Sequence, residues 1–260
     1  GIRTMDLQLT DRVAFVAGSS KGIGRAIAIE LLREGCRVCL SGRNGDALDD
    51  VCHDLRTQFG DRVLGVPGDM TDRSVIDATL DAIHQKWGGL EIVIANLGSG
   101  KGKPGWNQDQ DEWERLFNLN FFGSVRLAQA AIPYLQSHGG TILFIASIVA
   151  VESTPAPLPY SAAKAALINY SKNLSRAVAK SGIRVNCIAP GNILFPGGSW
   201  ERHLQERREE VEKYIAAEVP QQRFGTPEEI ASLAAYLVSP VSGFSTGACY
   251  IADGGQTRRI

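Results

Sequence analysis

A glycine-rich turn near the amino terminus most constrains the fold of this 260-residue chain. An apolar run of β type, Val13 to Ala17, leads into a turn with the spacing G-x-x-x-G-x-G, and an amphipathic helical pattern follows at once. Glycines at this spacing let the backbone approach a pyrophosphate, and free N–H groups at the helix N-terminus face the anion. The turn therefore predicts a βα unit that binds a dinucleotide, in preference to a plain glycine-rich turn. The residues expected to contact the cofactor here are Gly18, Ser20, Lys21, Gly22, Ile23 and Gly24.

Strand-like and helix-like segments alternate along the whole chain, with no linker or low-complexity tract between them. This alternation predicts an α/β fold, namely a single Rossmann-type domain over 1–260 with a seven-stranded parallel sheet and helices on both faces. The predicted strands are 13–17, 37–41, 63–66, 92–95, 141–146, 184–189 and 248–251.

Charge and cysteine content bear on partners and compartment. The chain has 27 basic and 28 acidic residues and no basic block, which argues against nucleic acid as a partner. No apolar run approaches the ~18 residues of a membrane span, so we expect no membrane insertion. Five cysteines without a disulfide framework are typical of a reducing cytoplasm.

A C-x-x-C pair at Cys36 and Cys39 and four scattered histidines are the residues to weigh for a metal. On an extended strand, positions i and i+3 point to opposite faces, so two small buried side chains are more plausible here than a joint redox or metal role. The histidines show no ligand spacing. We therefore predict no metal site.

The end of the second predicted strand bears on the form of the dinucleotide. An acidic residue there would accept hydrogen bonds from a ribose 2′-hydroxyl, but Gly42 occupies the position and Arg43 follows it. A guanidinium pairs well with phosphate, and Lys21 in the glycine turn adds a second positive charge. The pattern favours NADP(H) over NAD(H); the alternative is that Arg43 only ends a solvated turn.

A serine, a tyrosine and a lysine form a second informative pattern. Tyr160 and Lys164 are four residues apart at the start of an Ala-rich run, so both side chains lie on one helix face, and Ser147 ends the strand-like run TILFIAS. A phenol ordinarily ionises near pH ~10, and a neighbouring ammonium lowers its pKa. The three groups predict proton transfer to or from an alcohol or carbonyl oxygen, whereas a chance pair on a helix surface is the alternative.

With further segments, these motifs resemble the short-chain dehydrogenase/reductase family over about residues 9–255, and within it the 3-oxoacyl-acyl-carrier-protein reductases. The further segments are Gly-Asp-Met at 68–70, Ala-Asn-Leu-Gly at 95–98, Asn-Leu-Asn-Phe-Phe-Gly at 118–123 and Pro-Gly at 190–191. The resemblance implies more cofactor contacts, namely Asp69, Met70, Asn96, Gly98, Tyr160, Lys164, Pro190, Gly191 and Ile193. Two departures from the family pattern are Leu97, where alanine is usual, and Phe195, near a usual threonine.

The resemblance also implies a catalytic tetrad of Asn120, Ser147, Tyr160 and Lys164. Tyr160 exchanges the proton with the substrate oxygen, and Ser147 positions that oxygen. Lys164 lowers the pKa of Tyr160 and reaches the nicotinamide ribose, while Asn120 anchors a proton-relay water.

Substrate specificity is expected in a lid at about 192–219 and in a glycine-rich loop at 98–106. Trp200, Leu204, Val211 and Ile215 fall on one helical stripe, with Ser199 as the expected N-cap. Trp200, Trp106 and Ser147 are candidate substrate contacts. Three further lid residues are candidates to meet an anionic substrate, with an ordinary solvated surface as the alternative: Arg202, His203 and Arg207.

The leading hypothesis is an NADPH-dependent reductase that converts a ketone, such as a 3-oxoacyl thioester that can be carrier-bound, to a secondary alcohol. The alternatives are a sugar, polyol or nucleotide-sugar dehydrogenase, and a non-catalytic NADP(H)-binding regulator. The family resemblance implies a homotetramer, or alternatively a dimer, built through long helices at about 111–137 and 158–181 and through the C-terminal strand.

Overall fold

The computed structural model describes residues 5–259, so residues 1–4 and 260 of the predicted domain lie outside the described part. Its strands are β1 (Val13–Ala17), β2 (Arg37–Gly42), β3 (Val63–Pro67), β4 (Ile92–Ala95), β5 (Gly140–Ile145), β6 (Ile183–Pro190) and β7 (Cys249–Ala252). Its α-helices are α1 (Gly22–Arg33), α2 (Gly45–Phe59), α3 (Arg73–Trp87), α4 (Gln110–Phe117), α5 (Gly123–Gln136), α6 (Leu158–Val178), α7 (Ser199–Glu218) and α8 (Pro227–Val238).

All seven strands form one parallel sheet in the order β3-β2-β1-β4-β5-β6-β7. The order reverses between β1 and β4, and the chain segments that follow these two strands diverge there at the carboxyl edge of the sheet. Open α/β sheets bind ligands at such a point. The predicted Rossmann-type α/β sheet is confirmed, and its topology places the glycine turn at the expected binding edge.

Two apolar cores lie on opposite faces of this sheet. One packs α1, α2 and α8 against the sheet, and the other packs α3, α5 and α6. Ile27 and Leu31, on the predicted stripe of α1, are fully buried, and burying such a side chain contributes about 1.5–3 kcal/mol. Cys36 lies in the first core and Cys39 in the second, so the C-x-x-C cysteines do point to opposite faces as predicted.

The helix predicted over 111–137 is interrupted. A π-helical turn, Asn118–Phe122, separates α4 from α5, and inside it the Asn120 amide Nδ2 donates to Leu116 O at 3.0 Å. The side chain takes the carbonyl that a regular α-helix would use for a backbone bond. The helix predicted over 158–181 is present as α6 followed by a 3-10 turn, Ala179–Ser181.

Within residues 5–259, no helix combines the length and the apolar character needed to cross a membrane. In the same range, no three His, Cys, Asp or Glu side chains come together as a metal would require.

Candidate active site

The glycine turn forms a close-packed cradle at the carboxyl end of β1. Gly18 has φ +66°, and a Cβ there or at Gly24 would overlap backbone atoms of Asn96 and Gly18 respectively. Asn96 Nδ2 donates to Gly18 O at 2.9 Å, which ties the turn to the segment after β4. Only glycine fits these positions, so the backbone itself is left to face a ligand.

The N-terminus of α1 provides the anion-binding part of this cradle. Lys21 is the N-cap residue and makes no side-chain cap, so the first backbone N–H groups of the helix keep their free hydrogen-bonding capacity. These free donors and the helix dipole suit the pyrophosphate of a dinucleotide. Ile23, in the first turn, lines the adjacent cleft. The residues present therefore fit a dinucleotide.

Residues at the carboxyl end of β2 occupy the positions expected to bear on binding of the 2′-phosphate of NADP(H). A Cβ at Gly42 would lie 3.0 Å from Ser20 Oγ, so Gly42 and Ser20 are neighbours across the turn. Arg43 is exposed and forms no ion pair with any of residues 5–259. The Lys21 ammonium donates to Gly197 O at 3.4 Å.

Two predicted cofactor contacts follow β3, and the side chains of both have partners within the protein. Asp69 Oδ1 accepts from Thr71 N at 2.9 Å and from Thr71 Oγ1 at 2.8 Å, so this carboxylate orders its own loop. Met70 is 3% exposed and packs into the core, which leaves only its backbone for a cofactor contact.

Ser147 and Tyr160 lie side by side in one wall of a cleft. Ser147 caps a short 3-10 turn by accepting from Val149 N at 3.3 Å. Burial raises the pKa of Tyr160, and a hydrogen bond with Ser147 opposes that rise. Gly100 packs against the Tyr160 ring, where a Cβ would lie 3.4 Å from Cε1. The phenol therefore holds its proton at neutral pH, beside a hydroxyl donor.

Lys164 makes two hydrogen bonds to the backbone beside this pair. Its ammonium is 4% exposed and donates to Leu97 O at 3.1 Å and to Ile145 O at 3.0 Å. Burial lowers the pKa of Lys164 to about 8. Lys164 thus joins the carboxyl ends of β4 and β5.

The pKa of Lys164 makes stability depend on pH. Its folded value of about 8 lies below the ordinary 10.5, so between these values the unfolded chain binds the extra proton. The free energy of unfolding should therefore rise with pH in this window, by up to about 1 kcal/mol per pH unit. Urea unfolding at pH 7 to 10 gives the free energy of unfolding of the wild type and of Lys164→Met, and the wild-type value minus the variant value should rise with pH. A difference that is flat or falls across the window would contradict the prediction.

Asn120 acts as a brace beneath the same wall. Its Oδ1 accepts from Ser99 N at 2.9 Å, and its Nδ2 donates to Ser99 O at 3.2 Å as well as to Leu116 O. Both amide hydrogens are thus used within the protein, which leaves no side-chain donor for the expected relay water. A Cβ at Gly98 would overlap Asn120 Oδ1 and would lie 2.8 Å from Lys164 Nζ, so glycine is required between them.

The cleft itself has a volume of about 860 Å³ and runs from Ile23 at the glycine turn to helix α7. Several predicted site residues line it together: Ile23, Ser147, Tyr160, Pro190, Gly191, Ile193 and Trp200. The structure thus brings Ser147, Tyr160 and the segment after β6 to the same opening.

Helix α7 covers one side of the cleft. Trp200 stacks on Tyr214 with ring centroids 5.6 Å apart and lies 5.4 Å from Phe224, while Val211 and Ile215 are buried beneath. The predicted apolar stripe is therefore present. The N-cap residue is Gly198 and not Ser199, which is the first residue of the helix.

Trp106 does not reach this cleft. Its side chain is 82% exposed, whereas Lys101 and Pro104 of the same loop do line the opening. The loop turns at Gly105, with φ +91°, and Gln108 Nε2 holds that turn through Lys103 O at 2.6 Å and Gly105 O at 3.0 Å. The expected substrate contact of Trp106 is corrected accordingly.

Comparison with known proteins gives the same architecture and related activities. The family profile described as Enoyl-(Acyl carrier protein) reductase matches residues 17–257. The chain belongs to the short-chain dehydrogenase/reductase family.

Individual members of this family align over nearly their full length. Glucose 1-dehydrogenase 2 of Bacillus subtilis is 31% identical over 252 residues, covering 96% of each chain. A 3-oxoacyl-(acyl-carrier-protein) reductase of Chlamydia muridarum is 32% identical, covering 97% of this chain and 100% of its own. The structure of L-sorbose reductase from Gluconobacter frateurii, complexed with NADPH and L-sorbose, matches with a TM-score of 0.88 and 34% identity, over 98% of this chain and 100% of that one.

As a short-chain dehydrogenase/reductase, the chain is an NAD(P)-dependent oxidoreductase that acts on alcohol or carbonyl groups. The departure at Leu97 is accommodated, because its side chain packs into the core while its carbonyl accepts from Lys164. At the other departure, the Phe195 ring covers Gly22, where a Cβ would lie 2.7 Å from the ring. The segment between β6 and α7 therefore rests directly on the glycine turn.

Sequence reasoning missed some residues of the site. Ser99 bonds both ends of the Asn120 amide, and Tyr214 supports Trp200. The only sequence signal for Tyr214 is its place fourteen residues after Trp200 on the same helix, a spacing that returns to one face.

Proposed function

We propose that the protein reduces a ketone to a secondary alcohol with NADPH, using Tyr160 as the proton donor. The observation that carries the proposal is the pairing of Ser147 and Tyr160 in a cleft that continues to the glycine cradle. A carbonyl oxygen at this place meets a donor hydroxyl and a protonated phenol together.

Each residue has a defined task in this reaction. When bound in the cradle, the nicotinamide cofactor supplies the hydride for the carbonyl carbon. Tyr160 donates its phenolic proton to the carbonyl oxygen, and because burial raises the pKa of Tyr160, the acid form is present at neutral pH. Ser147 donates a hydrogen bond to the same oxygen, which stabilises the charge that develops there. Lys164 and Asn120 hold the surrounding backbone in position.

A preference for NADPH over NADH follows from the tip of β2. Arg43 is a free guanidinium beside Gly42, where no carboxylate repels a phosphate. Arg43→Ala should therefore lower the ratio of kcat/KM for NADPH to kcat/KM for NADH by about tenfold or more. The matched control is Arg33→Ala, because Arg33 lies at the far end of α1 and pairs only with Glu30. An unchanged ratio in Arg43→Ala would contradict the preference.

For the substrate, we favour a 3-oxoacyl thioester or a similar β-keto compound. Two supports are the 3-oxoacyl-(acyl-carrier-protein) reductase relative and a cleft open enough for an elongated acyl chain. A sugar or polyol is the second candidate, favoured by the glucose 1-dehydrogenase and L-sorbose reductase relatives. NADPH oxidation with acetoacetyl thioester, compared with L-sorbose and glucose, separates the two. Turnover of the sugars alone would overturn the thioester assignment.

We also propose that the enzyme is a cytoplasmic homotetramer. All five cysteines are free thiols, which suits a reducing compartment. Apolar side chains are exposed on α6 and beside α5, with Leu158 47% and Phe122 46% exposed, and Phe244 is fully exposed near β7. Sedimentation at micromolar concentration should give about four times the chain mass. A monomer under these conditions would contradict the assembly.

A further inference from the structure

The face of α7 that lines the cleft carries charges where an amphipathic helix ordinarily carries apolar residues. The residues of this helix that line the cleft come from the helical stretches on both sides of Arg207. They are Trp200, His203, Arg207, Glu210, Val211 and Tyr214, with Arg202 beside them. Two guanidinium groups thus face the cleft against a single carboxylate, and Lys101 adds a third cation from the loop after β4.

The cleft-lining arginines are weakly paired compared with an outer arginine of the same helix. Arg202 lies 3.8 Å from Glu206, and Arg207 lies 4.0 Å from Glu210, both at the limit of an ion pair. Arg208, which does not line the cleft, holds Glu212 at 3.1 Å. The two inner guanidinium groups therefore keep most of their hydrogen-bonding capacity for a ligand.

The backbone of α7 is also irregular at this place. Arg207 has non-helical torsion angles, φ −152° and ψ 58°, between two helical stretches. Its Nη2 is 3.4 Å from His203 Nδ1, and burial, followed by the nearby Arg207 and Arg202, lowers the pKa of His203. The imidazole is thus neutral at neutral pH and can accept a hydrogen bond from Arg207, which holds the guanidinium at the cleft.

We propose that the substrate is an anionic ketone whose carboxylate or phosphate is bound by Arg207 and Arg202 of α7. The inference rests on the proposed reduction at Tyr160, since the anion site lies in the wall of the same cleft, and among the β-keto compounds and sugars proposed above it selects those that carry an anionic group. A planar guanidinium binds either anion through two parallel hydrogen bonds, and a pair of guanidinium groups in one cleft favours a charged group over a neutral one. The lid then selects the substrate by charge while the opposite wall performs the proton transfer.

Matched ligand pairs test the proposal by calorimetric binding to the protein loaded with NADP⁺, which holds no hydride to reduce the ketones. Acetoacetate is compared with ethyl acetoacetate for the carboxylate, and dihydroxyacetone phosphate with dihydroxyacetone for the phosphate. In the wild type, at least one anionic ketone should bind about tenfold or more tighter than its neutral partner. The pair with the larger ratio of dissociation constants shows whether the site prefers a carboxylate or a phosphate. Arg207→Gln should bring the ratio of the two dissociation constants close to one, whereas Arg208→Gln should leave the ratio as in the wild type. Unchanged thermal unfolding in both variants excludes loss of folding.

Turnover of the same four ketones with NADPH distinguishes the proposed anion site on α7 from the proposed reduction at Tyr160. Equal binding within both pairs, or a ratio that survives Arg207→Gln, would overturn the anion site even if the ketones are reduced. Anion-selective binding that depends on Arg207, together with no reduction of any of the four ketones, would support the anion site and count against the proposed reduction.

Discussion

Replacing Tyr160 by phenylalanine is expected to lower the rate of ketone reduction about a thousandfold while the protein still binds NADPH. A positioned proton donor contributes about 10²–10⁴ in rate, and this substitution removes only the phenolic oxygen. Ser147 remains, but its hydroxyl serves as a hydrogen-bond donor to the substrate oxygen and is a far weaker acid than the phenol. The glycine cradle is formed by backbone and by Asn96, so the substitution leaves it intact.

Single-turnover NADPH oxidation and fluorescence titration of NADPH measure the two effects separately. Tyr170→Phe is the matched control, because Tyr170 lies on the same helix but packs edge-on against Phe121 and Phe144, with centroids 6.0 and 5.8 Å away. It should retain the wild-type rate. A Tyr160→Phe enzyme within tenfold of the wild type would exclude Tyr160 as the proton donor.

Replacing Lys164 by methionine is expected to lower turnover at least about a hundredfold and also to destabilise the fold. Its ammonium satisfies the carbonyls of Leu97 and Ile145, and a buried carbonyl left without a partner costs about 1–3 kcal/mol. Both carbonyls lie at strand ends that border the cleft. Their displacement moves the backbone around Gly98 and Ser147, and small displacements of catalytic groups slow catalysis strongly.

Urea unfolding and steady-state kinetics check both parts of this expectation. Lys172→Met is the control, because Lys172 lies two turns further along α6 with an exposed side chain. A Lys164→Met protein that unfolds less readily than the wild type, or that turns over at the wild-type rate, would refute the role assigned to the ammonium.

The fold was predictable because its determinants are local. The glycine spacing at 18–24 and the alternation of apolar runs with helical stripes identify the strands to within one residue at nearly every end. Cys36 and Cys39 illustrate the rule of alternation, since the period of a strand alone places them in opposite cores.

The features that sequence reasoning missed depend on contacts between distant segments. The pKa of Lys164 follows from its burial between two strand ends, which no spacing within α6 reveals. Asn120 interrupts its helix because its side-chain amide forms hydrogen bonds with Leu116 O and with the backbone of Ser99. Trp106 faces outwards because Gln108 fixes the turn before it, and the irregular backbone at Arg207 has no sequence signature such as proline or glycine.

The position of Phe195 gives the lid a direct connection to the cofactor site. Its ring covers Gly22, and Gly197 O accepts from Lys21, so the segment before α7 contacts both sides of the glycine turn. Because α7 begins directly after this segment, the segment joins the cleft-lining helix to the glycine turn through these contacts.

The most direct test of the account is transfer of deuterium from NADPH that carries deuterium at both C4 positions of the nicotinamide, with acetoacetyl thioester as the substrate. Mass spectrometry of the product should find one deuterium on the carbinol carbon, formed by the wild type and by Tyr170→Phe at similar rates and by Tyr160→Phe about a thousandfold more slowly. An alcohol product without deuterium at that carbon, or one formed as rapidly by Tyr160→Phe, would contradict the proposed reduction.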